Sequence, residues 1–211
     1  MRWQTLVALF VASVLALPAM AYDYPLSPEA IRDAYFLGKE DAAKRDAFFA
    51  KYTQTFPLPE SGPHVASIQF ETPFAVVAEH TALARPNYLA PDAATEFSGK
   101  PGVFRMHVRI YLTESYGPLT NSNDGLNHLR STDFWRDFTI RLVQGNEIRA
   151  RTVRGHAIYK NGDLASGNVL AGANVDLDYD AAKIKSDVAT VEVISPEGQK
   201  ITATFDLASL R

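Results

Sequence analysis

The chain of 211 residues carries 21 Lys and Arg against 24 Asp and Glu, a formal net charge of −3 with histidine neutral. That balance offers no basic surplus for a nucleic-acid surface. There is no cysteine, so disulfides, thiolate nucleophiles and Cys-ligated metals are excluded and the fold must hold by its core alone.

Residues 1–21 read as an export signal. Arg2 supplies a positive charge, residues 6–17 are apolar without a charge, and Ala19 and Ala21 are the small residues that precede cleavage after Ala21. The apolar run is about a dozen residues, short of the ~20 needed to cross a bilayer as a helix, and no later segment is apolar enough to span. The mature chain is then expected in the periplasm or outside the cell, without a transmembrane span, with 190 residues (211 − 21) and a net charge of 20 − 24 = −4 once Arg2 is removed. A length of that order buries roughly 70% of the unfolded surface, enough for one self-sufficient domain.

A helical lead-in is expected over residues 22–56. Ser27 is an N-cap, Pro28 fits the first helical position and Glu29 faces the positive end of the helix dipole. Leu26 and Ile31 stand at the positions of a hydrophobic staple. Ile31, Ala34, Tyr35 and Gly38 form one apolar stripe, with Gly38 as the expected stop. A second helix is predicted over 40–53, with Phe49, Tyr52 and Phe56 on its apolar side. FPLPESGP, residues 56–63, forbids its continuation.

From residue 65 to 211 the pattern predicts a β-sandwich. VASIQFE, residues 65–71, reads as a strand, TPFAVVAEHTA as helix or strand, and residues 84–102 as a Pro-punctuated connection with one helical turn at PDAATEF. VFRMHVRIYL, residues 103–112, alternates strictly, with Phe104, Met106, Val108, Ile110 and Leu112 on one face. FWRDF, residues 134–138, reads as a strand entering the sandwich. Asn161 and Gly162 mark a tight hairpin, and NVDLDYD turns Val175, Leu177 and Tyr179 inward. SPEGQ joins two final strands with Gly198 in a left-handed position, which pairs Val193 with Ile201, Val191 with Ala203 and Ala189 with Phe205. The fold class is therefore mainly β, an antiparallel sandwich preceded by a short N-terminal helical pair.

The chain lacks the Gly-x-Ser-x-Gly elbow, the His-Glu-x-x-His helix, the P-loop and the Rossmann glycines. Its five histidines have no metal-ligand spacing, so no catalytic residue, metal ligand or cofactor is assigned. Asp176, Asp178 and Asp180 share one strand face, yet the turn glycine and twelfth-position glutamate of a calcium loop are missing, and a solvated face is the simpler reading. The polar loop 115–133 gathers Asn121, Asn123, Asp124 and Asn127, oxygen-bearing side chains suited to a cation or a sugar and equally to an ordinary turn.

A basic face is the third candidate. In FTIRLVQGNEIRARTV, pairing Leu142 with Ile148 and Ile140 with Ala150 sets Arg141 opposite Arg149, with Arg151 nearby. Were the strand of Arg105, His107 and Arg109 to lie alongside, six basic-capable side chains would share a surface for phosphate, lipid headgroups or acidic polysaccharide. Pairing with the abundant carboxylates is the alternative. Trp135, the only tryptophan of the mature chain, suits sugar stacking if exposed and core packing if not.

YPLSPEAIRDAYFLGK, the PLPESGP joint, the following TPF, FWRDF and VEVISPEGQKITATFDL together resemble a group of exported Acidobacteria-like proteins with no assigned activity. The resemblance spans most of the mature chain. It implies an exported bacterial protein and carries over no functional residue. The expected function is a non-enzymatic binding or interaction module of the periplasm or cell envelope, with an envelope or extracellular partner that is anionic if the arginine face binds it. The alternative is a hydrolase of envelope or extracellular carbohydrate, which would need two carboxylates brought together in a cleft.

Overall fold

The computed structural model describes residues 24–121, 127–161 and 167–211. The export signal and its cleavage site lie outside them. So do Asn123 and Asp124 of the polar loop, and the turn at Gly162.

Helix α1 (Pro28–Lys39) starts as its sequence dictates: the Ser27 side chain accepts from the Ala30 backbone N–H at 3.1 Å. It does not stop at Gly38 but runs on to Lys39, with Glu40 as C-cap. Gly38 serves a close approach instead, since a Cβ there would stand 2.4 Å from the carbonyl oxygen of Ala78. Helix α2 (Ala42–Phe49) is shorter than expected. It passes through a 3-10 turn over Ala50–Tyr52 into strand β1 (Thr53–Thr55).

Strand β2 (His64–Glu71) leads directly into α3 (Pro73–Leu83), capped by Thr72 and started by Pro73. The ambiguous TPFAVVAEHTA is thus helical. It is apolar on nearly every side because it is buried on nearly every side, and that erased the periodicity. The expected turn at PDAATEF is a full helix, α4 (Ala90–Phe97). Ile31, Ala34 and Tyr35 of α1, Phe74, Val77 and Ala78 of α3 and Ala93 of α4 make a helical core beside the sheets.

Two antiparallel sheets form the sandwich. The larger has the order β1-β2-β3-β9-β8, with β3 (Val103–Tyr111), β8 (Thr152–Asn161) and β9 (Asn168–Asp180). The smaller has the order β11-β10-β6-β7, with β6 (Thr139–Gln144), β7 (Asn146–Ile148), β10 (Val188–Ile194) and β11 (Lys200–Asp206). Ile68, Phe70, Met106, Val108, Val175 and Leu177 of the first meet Leu142, Val191, Val193, Ala203 and Phe205 of the second in one core. Phe70 and Phe205 bring ring centroids to 5.7 Å across it. The final hairpin has the expected register, and Gly198 has φ 85°.

FWRDF is a 3-10 helix over Phe134–Asp137 rather than a strand. The polar loop contains a hairpin of its own, β4 (Leu119–Asn121) with β5 (Asn127–Leu129). No helix among the described residues is long and apolar enough to cross a membrane.

Candidate functional site

Alternation along β2, β3, β9 and β8 turns their apolar residues to the core and their polar ones to the outer face of the large sheet. Register then aligns those polar residues in rows. Glu71, Arg105, Asp178 and Thr152 form one row; Gln69, His107, Asp176 and Arg154 the next; Ser67, Arg109, Asn174 and His156 the third. The aspartate ladder of β9 and the basic ladder of β3 are therefore neighbours, and they pair. Arg105 Nε donates to Asp178 Oδ1 at 2.8 Å, His107 Nδ1 stands 2.7 Å from Asp176 Oδ1, and Arg109 Nε donates to Asn174 Oδ1 at 3.0 Å.

This neutralises the basic face expected from the strand pattern. Arg141 lies on the other sheet, across from Glu192 and 3.8 Å from Glu147. The ladder of β6 and β7 includes Leu142 opposite Ile148 and goes no further, so Arg149 is an exposed residue beyond it. Arg151 reaches Asp180 at 3.7 Å. The six basic-capable residues do not share one surface. Trp135 is buried, its indole occupying the space where a Cβ on Gly155 would come within 2.0 Å. That placement gives the core packing and not an open stacking platform. Asn121 pairs with Asn127 in the small hairpin.

Helix α3 crosses the upper end of this outer face and lowers Glu79 onto it. Glu79, with Thr53, Thr55, Ser67, Gln69, His107, Arg109, His156, Asn174 and Asp176, lines a groove of about 540 Å³. Beside His107, and not itself lining the groove, the Glu71 side chain is fully buried. The Gln69 amide donates to Glu71 Oε1, while Glu71 Oε2 and His107 Nε2 are buried without a hydrogen bond. His107 Nε2 is 3.6 Å from Glu71 Oε2 and 3.8 Å from Glu79 Oε1, ion-pair separations too long for hydrogen bonds. One side-chain oxygen or nitrogen from each of Glu71, Glu79 and His107, atoms able to ligate a metal, lies within 4.8 Å of the other two.

The electrostatics follow from crowding three carboxylates around one imidazole. Burial pulls the His107 imidazolium down, but the Asp176 hydrogen bond and the charges of Glu71 and Glu79 outweigh it and leave the group pushed up to about 10. Burial, then the Glu71 charge, raises the Glu79 carboxyl above its ordinary range. For Asp176 burial acts upward, and the His107 hydrogen bond overrides it and holds the carboxyl below the ordinary range.

Glu71 and Glu79 went unnoticed in the sequence because neither shares an element with His107. The only local signal was an acidic residue closing a strand whose preceding residue, Phe70, already faces the core. A larger hollow of about 610 Å³ lies beside Leu58, Leu112 and Leu170, but its charged residues Glu60, Glu114 and Lys160 are all exposed. Comparison with family models, with curated proteins and with solved structures finds no match to this chain.

Proposed function

We propose that this is an exported, non-enzymatic binding protein of the periplasm or cell envelope, and that it takes a small polar ligand in the groove on the outer face of the large sheet. One observation carries the reading: Gln69, Glu79 and His107 line a polar groove, and the fully buried Glu71 beside them has an oxygen without a hydrogen bond. Gln69 satisfies Oε1 and His107 stands 3.6 Å from Oε2, but a buried carboxyl oxygen without a hydrogen bond is still costly to fold, and a binding site beside it would explain its retention. Donors and acceptors alternate along the floor, which suits hydroxyl-, amino- or carboxylate-bearing molecules over apolar ones.

A second reading has its own support. Glu71 and Glu79 are paired carboxylates in a cleft, one of them raised in pKa, as a carbohydrate hydrolase requires. It is weaker, because His107 faces both within 4 Å and leaves no gap for a glycosidic bond between them.

The test is a thermal-shift screen of monosaccharides, amino acids, polyamines and short carboxylates against the wild type and Asn174→Trp, which fills the groove from β9. At least one of these classes should raise the wild-type melting temperature, and the rise should vanish in the variant. A screen without response, or a response unchanged by Asn174→Trp, contradicts the proposal. Turnover of chromogenic glycosides that Glu79→Gln abolishes would establish the hydrolase instead.

A further inference from the structure

The side chains of Glu71, Glu79 and His107 are each held from behind. Gln69 occupies Oε1 of Glu71 and leaves Oε2 forward. Arg105 Nη1, 3.6 Å from Glu79 Oε2, leaves Oε1 forward. Asp176 fixes Nδ1 of His107 at 2.7 Å and leaves Nε2 forward. Two oxygens and one nitrogen thus lie within 4.8 Å of one another, the oxygens 3.6 and 3.8 Å from the nitrogen.

A self-contained ion triad would close those gaps to hydrogen bonds of about 2.8 Å. Instead the spacing approaches that of ligands around a cation: atoms about 2.1 Å from a tetrahedral zinc stand about 3.4 Å apart. Small side-chain rotations cover the difference. A histidine whose far nitrogen is anchored by a carboxylate is the usual outer-shell support of a metal-bound imidazole.

We propose that Glu71, Glu79 and His107 form a site for a divalent transition-metal cation, zinc being the best match, with the remaining coordination position open to the groove. One nitrogen and two carboxylate oxygens favour zinc over magnesium and calcium, which prefer all-oxygen shells. Glu79 and His107 also line the groove, so the inference rests on the groove being the ligand site, and it names what holds that ligand: an electron-pair donor of the bound molecule completes the metal's shell.

The experiment loads the purified protein with zinc by dialysis, strips loose metal over a chelating resin and measures zinc by mass spectrometry. One equivalent should remain, and excess magnesium or calcium should not displace it. Asp176→Asn should weaken zinc binding by about 10- to 100-fold. Glu79→Gln, at a partly exposed helix position that tolerates the change, should weaken it at least as much, with the circular dichroism spectrum unaltered. Absence of retained zinc in the wild type, or equal retention in folded Glu79→Gln and His107→Gln, overturns the site. Asn174→Trp separates the two proposals, since it should abolish the small-molecule response and keep the zinc. Retained zinc with no small-molecule response overturns the groove reading alone, and a small-molecule response without zinc overturns the metal site alone.

Discussion

Asp178 accepts from Arg105 Nε at 2.8 Å, Arg154 Nη2 at 2.7 Å and Thr152 Oγ1 at 3.0 Å. Burial pushes its carboxyl upward, but these donors, Arg105 foremost, hold it below the ordinary value of 3.8. Its folded pKa is depressed, so its stabilisation is present in full above the unfolded value and is lost as pH falls through the folded one. Asp178→Asn should therefore remove about 1 to 3 kcal/mol at neutral pH, leaving Arg105 without its charged partner. As pH falls below about 4 the variant should lose stability less steeply than the wild type. Urea unfolding across that range checks it, and parallel curves would refute the role given to Asp178. At the same scale, Gly155 shows how one missing side chain seats another. Trp135 lies over its Cα, and the tryptophan that suggested sugar stacking is spent on the core.

Among the elements, the contact of α1 with α3 is the most sharply determined by one residue. Gly38 sits where a Cβ would meet Ala78 O at 2.4 Å and Thr81 Cβ at 2.7 Å. In an isolated helix Gly→Ala would stabilise by about 1 kcal/mol. Here Gly38→Ala should destabilise by about 1 to 3 kcal/mol, because the two helices must separate to admit the methyl group. A melting temperature raised by the substitution would contradict that packing. The same glycine marks the limit of local reading: its sequence position fitted a helix stop, and only the neighbouring helix reveals its purpose. The final hairpin was legible because its turn, alternation and register are all local, from Val193 opposite Ile201 to Gly198 in the left-handed region. Helix α3 was not, since burial on most sides leaves no amphipathic stripe to read.

At the scale of the molecule, the sequence showed each half of the site without showing that they meet. Arg105, His107 and Arg109 were visible as one face of a strand, and Asp176 and Asp178 as one face of another. That β3 and β9 are hydrogen-bonded neighbours is a non-local fact of sheet order. It converts a supposed anion-binding face into a neutralised lattice. Glu71 and Glu79 arrive from a strand end and a helix separated from His107 by the whole of α4, and their convergence depends on α3 lying across the large sheet. The claim that this convergence is the working centre of the protein is tested most directly by diffraction from zinc-soaked crystals, recorded on both sides of the zinc absorption edge. The account predicts an anomalous peak beside the groove, about 2.0 to 2.2 Å from Glu71 Oε2, Glu79 Oε1 and His107 Nε2. Zinc found only at the scattered histidines, with these three side chains unmoved and unliganded, would contradict it.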